Sequence, residues 1–184
     1  MAEARKKFFR LCAEKRPPLR TQRWCCDYLK EQPSFNVPLD HRIFGIRAEE
    51  SRSRAQRGRI NPHKISRGRI LFGYHPIFTW PEWAVWSFIE KHQLPYPSLY
   101  DEGVTRIGCV VCPYSVLGSG TTPTKRRALS MARWPGIWKA FRHAVYRYWQ
   151  RKRAEGNTAY KNESFGEYWY AYLQHFEEVR HENQ

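Results

Sequence analysis

The chain has 184 residues, 41% hydrophobic and 16% aromatic, which argues against a disordered polyelectrolyte and gives enough apolar surface for one globular core. Lysine and arginine number 32 against 17 acidic residues, a net charge of +15, which points either to a polyanionic partner (nucleic acid, nucleotide or acidic protein) or to a solvated basic surface. No apolar run reaches membrane-spanning length and the N-terminal residues lack a signal-peptide core, so the expectation is a cytoplasmic protein with no membrane partner.

Residues 1 to 30 read as two helical pieces broken at Pro17-Pro18, the second carrying Trp24, Tyr28 and Leu29 as apolar contacts. Residues 42–46 form a short strand candidate, and the basic stretch from Arg47 to Arg69 reads as a loop, being too poor in apolar residues for a core element. A second strand is expected over 69–74, with Ile77-Phe78 extending it. Thr79 followed by Glu82 predicts a capping box opening a helix to about His92, with Val85, Trp86 and Ile89 as packing residues and Pro95 and Pro97 ending it.

Gly118 to Thr124 is a glycine-, serine- and threonine-rich connector and marks the one internal boundary, so the expected organisation is 1–118 followed by a helical extension over 119–184. In that extension Trp134, Trp138, Phe141, Val145 and Tyr148 recur at helical spacing, while Lys139, Arg142, Arg147 and Arg151 line other faces. A last helix is expected behind a capping box of Ser164 and Glu167, with Tyr168, Trp169, Tyr172, Leu173 and Phe176 as its apolar surface.

Five cysteines, an odd number in a reducing compartment, argue against a disulfide framework and for metal ligation or redox chemistry. Cys109-Val-Val-Cys112 lets two thiolates converge on one centre. The adjacent pair Cys25-Cys26 is unlike the ligand pairs of structural zinc sites, whereas neighbouring thiolates can reach different irons of a larger cluster. A four-thiolate zinc site, a redox-active dithiol and unrelated buried thiols are the alternatives. With 82 residues between Cys26 and Cys109, a shared centre would staple an early helix to a late loop. Cys12 reads as a partly buried core thiol, with a reactive thiol as the alternative.

These cysteines stand among other motifs in a fixed order. They are Gly45-Ile-Arg47-Ala-Glu-Glu50-Ser51-Arg-Ser-Arg54, Trp80 to Trp86, Leu94-Pro95, Leu99-Tyr100-Asp101-Glu-Gly103 and Arg106-Ile107-Gly108-Cys109. From about Arg20 to Pro113 the chain resembles the phosphoadenosine phosphosulfate (PAPS) reductase family, including adenylylsulfate reductases whose tandem cysteines and C-x-x-C hold a four-iron cluster. The resemblance implies a helix-rich α/β architecture, the later part of a Rossmann-like adenine-nucleotide-hydrolase-type fold, with a C-terminal helical extension. It implies a 4Fe–4S cluster, with zinc as the alternative, on Cys25, Cys26, Cys109 and Cys112, and Gly108 allowing close backbone approach. It also implies substrate contacts from Lys30, Arg47 and Arg54, because arginine presents a planar fork to sulfate and phosphate oxygens. Surface ion pairs with Glu49 or Glu50 are the plainer reading of those arginines.

The family's S-G-G-K-D-S phosphate loop has no counterpart in the 24 residues before Cys25, and no cysteine follows Cys112. Two expectations follow. Either the chain is a cluster-bearing subunit of a sulfonucleotide reductase or sulfurtransferase, completed by a partner chain with the phosphate loop, or it is a non-catalytic nucleic-acid-binding or interaction module with a structural metal site. The missing thiol points away from sulfate reduction and toward sulfur transfer, and the charge suits a nucleic acid better than a small sulfonucleotide.

Overall fold

Proline lacks an amide hydrogen and clashes with the preceding turn, and the first helix stops where Pro17-Pro18 require it to. In the computed structural model, which describes residues 2–19, 22–35, 37–64, 70–113, 123–157, 160 and 163–174, helix α1 (Ala2–Glu14) ends just before that pair. The chain resumes in a short α2 (Trp24–Cys26), runs through a π-helical turn (Asp27–Glu31) and closes in α3 (Gln32–Phe35). Later come β1 (His41–Ile43), α4 (Arg52–Ala55), β2 (Ile60–Lys64), β3 (Ile70–Tyr74), α5 (Glu82–Lys91), α6 (Pro123–Arg133), α7 (Pro135–Ala154) and α8 (Phe165–Gln174). The architecture is helix-rich α/β, as expected.

Two compact units result: Met1–Glu31 with Ser98–Gln184, and Gln32–Pro97. The N-terminal helix shares its unit with the helices from Pro123 onward. The connector expected at Gly118 to Thr124 lies, up to residue 122, outside the described residues, and α6 begins at Pro123.

In the first unit the predicted stripe of α7 is the core. Trp138, Phe141, Val145 and Tyr148 are buried, joined by Ala144 and Trp149, while Trp134 is the half-buried N-cap of the helix. Phe141 is the hub: its ring lies 6.1 Å from Phe8, 5.9 Å from Trp138, 6.0 Å from Trp169 and 6.0 Å from Tyr172. Cys12 belongs to this cluster, as expected, and is fully rather than partly buried. The α8 capping box forms as predicted, with the Ser164 amide donating to Glu167 at 2.7 Å and the Glu167 amide to the Ser164 hydroxyl at 3.3 Å. Phe176 lies outside the described residues.

The second unit is built on a three-stranded sheet, order β1-β3-β2, with β1 parallel and β2 antiparallel to β3. β2 corrects the expected loop over 47–69: Ile-Asn-Pro-His-Lys has little strand patterning and is made a strand by backbone pairing with β3. It is an edge strand, where Pro62 is tolerated. Ile77-Phe78 does not extend β3; the chain turns there, with the Phe78 amide on the His75 carbonyl at 3.1 Å. The Thr79 capping box is also absent. The Thr79 hydroxyl accepts from Arg59 at 3.2 Å, Pro81 is the N-cap, and the Glu82 amide donates to the Glu49 carboxylate at 2.8 Å, so α5 is capped by a residue from another segment. Val85, Trp86 and Ile89 are half-buried, and α5 buries no residue fully.

Register aligns Ile43, Tyr74 and Ile60 in one row of the sheet and His41, Phe72 and Pro62 in another. Side chains two apart share a face, so these six and Ile70 form one apolar and aromatic surface. It is open, with Ile43 77% and Ile60 57% exposed, while Leu71 and Gly73 on the other face are buried.

Candidate metal centre

All four cysteines of the expected site fall in the first unit. The tandem pair is positioned by Trp24, whose ring stacks 5.9 Å from Phe8 and whose indole donates to the Arg16 carbonyl at 3.0 Å. The bend before it is gripped from α8 by Tyr172, donating its hydroxyl to the Pro18 carbonyl at 2.8 Å. The later pair brackets a tight turn, the Cys112 amide donating to the Cys109 carbonyl at 3.1 Å. Its middle residues anchor it: Val111 is buried in the core, and the Val110 carbonyl accepts from the Ser130 hydroxyl at 3.0 Å. Ser130 in turn accepts from the Trp138 indole at 3.0 Å. Glu102, four residues past the 3-10 turn Ser98–Tyr100 begins, is clasped by both terminal nitrogens of Arg133, which hold its carboxyl below the usual carboxylate range.

Thus α6, α7 and α8 hold the cysteine-bearing segments, which spacing did not reveal. Ser130 and Tyr172 have no signature that marks them; only the packing of the chain's two ends gives them this role. Ser130→Ala is expected to cost about 1–3 kcal/mol, because it strands the buried indole and removes a partner of the Val110 carbonyl. Chemical denaturation measures the loss.

Cys25 interacts with both Cys26 and Cys112, and together with burial, the largest cause, these neighbours push its thiol up to about 12. Burial raises Cys12 further still, with a smaller contribution from Cys25, and Tyr172 is raised by burial first and then by Cys12. So Cys25, Cys26 and Cys112 are within interaction range, and Cys109 stands at the exposed start of the turn. No three or more histidine, cysteine, aspartate or glutamate side chains among the described residues stand in an ion-holding arrangement. In kind, the donors suit a soft, sulfur-ligated centre: the side chains that raise the Cys25 thiol beside burial are the thiols of Cys26 and Cys112. All five cysteines are free thiols. A Cβ at Gly108 would meet nothing within 4 Å, so that approach to the turn is open.

The expected substrate residues are distributed between the units. Lys30 is exposed on the π-helical turn of the first. Arg47 and Arg54 belong to the second, and there each meets a carboxylate of its own segment. Arg47 is only 15% exposed, bonded to Glu49 at 3.0 Å and to the Trp80 carbonyl at 3.3 Å. Arg54 pairs with Glu50, whose carboxylate also accepts from the Arg47 amide at 3.3 Å. The two acids of the 3-10 turn Ala48–Glu50 therefore hold the guanidinium groups of Arg47 before it and Arg54 after it. Among the described residues no helix is long and apolar enough to cross a membrane.

Comparison with known proteins agrees with this reading of the motifs. Residues 1–115 match the phosphoadenosine phosphosulfate reductase domain. An uncharacterised protein of Methanocaldococcus jannaschii is 31% identical over 137 residues, 71% of this chain and 27% of its own length, so the likeness takes in part of the helical extension. The phosphoadenosine 5'-phosphosulfate reductase of Gloeobacter violaceus is 37% identical over 87 residues, 46% of this chain and 35% of the enzyme. The adenosine 5'-phosphosulfate reductase of Shouchella clausii is 33% identical over 81 residues, 44% of this chain and 32% of the enzyme. The chain spans about a third of the length of these curated relatives. With the family's domain matched over residues 1–115, the chain belongs to the phosphoadenosine phosphosulfate reductase family.

Proposed function

We propose that this chain is the cluster-bearing part of an enzyme acting in sulfonucleotide chemistry or sulfur transfer, with Cys25, Cys26, Cys109 and Cys112 as ligands of a 4Fe–4S cluster. The observation that supports the reading is electrostatic: Cys26 and Cys112, one from each cysteine motif, both act on the half-buried thiol of Cys25. Buried thiolates repel one another, and a cationic centre removes that penalty as it displaces the protons. When bound, such a cluster supplies a redox-capable, polarising group. Cys109 completes the set through the turn it shares with Cys112, and Lys30 offers a positive charge one helical turn beyond the tandem pair.

Arg47 and Arg54 are the proposed contacts for sulfate or phosphate oxygens, with Glu49 and Glu50 holding the two forks in place until an anion exchanges with them. A partner chain supplies the phosphate loop in this reading. The exposed apolar face of the second unit's sheet, with Ile43 and Ile60 open, supports it, because a contiguous exposed apolar patch marks an interaction surface.

Metal analysis tests the reading. Anaerobically purified chain should be brown and carry about four irons and four sulfides. A colourless protein holding one zinc overturns it in favour of a structural thiolate site.

A further inference from the structure

Residues 123–154, which form α6 and α7, contain ten lysines and arginines and not one acid, although the chain has 17 acids in all. They lie beyond the 1–115 region that matches the family domain. On α7 the charges sort by partner. Arg151 and Lys152 are spent on Glu155, at 2.6 and 2.7 Å. Lys139, Arg142, Arg147 and Arg153 are exposed and, among the described residues, make no ion pair.

Helical spacing gathers these four with His143 and Gln150 on the exposed side of α7, opposite the buried stripe. From Lys139 to Arg153 the strip runs about 21 Å at 1.5 Å per residue. Two of its guanidinium groups are held by rings rather than by carboxylates: Arg142 lies 5.5 Å over Phe165 and Arg153 lies 5.2 Å over Trp149. Ring stacking restrains the side chain without neutralising it, so the charge stays available for an external anion.

We infer that this face of α7 docks on the phosphate backbone of a nucleic-acid duplex. A row of fixed cations along a rigid helix complements the regular charge of a duplex, one negative charge per about 1.7 Å of axis. Binding a single strand ordinarily needs rings free to stack on bases. Here the rings beside the strip are packed on one another, Tyr146 at 4.9 Å from Phe165 and 5.9 Å from Trp149. The inference does not depend on the cluster.

The test is fluorescence anisotropy of the full chain against a 25-base-pair duplex over about 50 to 200 mM salt. Four phosphate contacts give a log–log salt slope of about −3 to −4 and an affinity loss of roughly 100-fold across that range. Arg142→Gln/Arg147→Gln/Arg153→Gln should bring the slope to about −1. The control, Arg151→Gln/Lys152→Gln, removes charges already paired with Glu155 and should leave the slope near its starting value. Circular dichroism on both variants keeps a folding defect from being read as lost binding; if the triple variant is unfolded, the single Arg147→Gln, whose side chain lies over no ring among the described residues, should still lower the slope by about one. Absence of binding at 50 mM salt overturns the inference. So does an unchanged slope in the folded triple variant, an equal loss in the control, or tighter binding to a single strand or to anionic vesicles.

Discussion

Replacing Cys25 with serine is expected to strip the anaerobically prepared chain of nearly all its iron, whereas replacing Cys12 with serine leaves the iron in place. Cys25 interacts with Cys26 and with Cys112, so it joins the two cysteine pairs, and serine offers a poor, hard ligand where a thiolate is needed. Cys12 is also near Cys25, but it is fully buried in an apolar cluster with Phe141, Val145 and Trp169. Its substitution should cost stability, about 1–3 kcal/mol for a hydroxyl placed among hydrocarbon, with little effect on metal content. Iron per chain in the two variants, measured beside their denaturation curves, separates ligand from core residue. The reverse pattern, iron lost with Cys12 and kept without Cys25, removes Cys25 from the proposed ligand set.

Phe141→Ala is expected to destabilise the first unit by about 3–5 kcal/mol, a large share of the roughly 5–15 kcal/mol available to a typical domain. Phe141 has no exposed surface, and its ring touches aromatic side chains from α1, α7 and α8, so truncation leaves a cavity at the junction of the chain's two ends. The same substitution at Trp83, 71% exposed on α5, should change stability by less than about 0.5 kcal/mol. Urea titration followed by tryptophan fluorescence distinguishes the two. The Phe141 variant should also hold iron less well, since the core that supports Val111 also supports the turn between Cys109 and Cys112.

What could be read from the sequence was local or strongly periodic. The Pro17-Pro18 break, the α7 stripe and the Ser164–Glu167 box each depend on residues a few positions apart, and each appears where expected. The misread features depend on distant partners. β2 is a strand because β3 pairs with it, and α5 starts at Glu82 because Glu49, 33 residues earlier, accepts from its first amide while Arg59 takes the Thr79 hydroxyl. Val85, Trp86 and Ile89 have helical spacing, yet spacing alone cannot say how deeply a face is buried.

The same division runs through the candidate site. The cysteines stand out by residue type and spacing, and Arg47 and Arg54 by their motif. Their supports do not: Ser130, Tyr172 and Arg133 all come from the helical extension and act on segments 20 to 154 residues away, with Trp138 holding Ser130 in place. The extension is therefore the other wall of the cysteine-bearing unit, a relation that no linear reading of the chain contains.

Iron K-edge X-ray absorption on the intact, anaerobically prepared chain tests the proposed centre most directly. The account predicts a first shell of sulfur alone together with a strong iron–iron signal from a multinuclear cluster. A shell of nitrogen and oxygen, or a single iron without a metal neighbour, would contradict it.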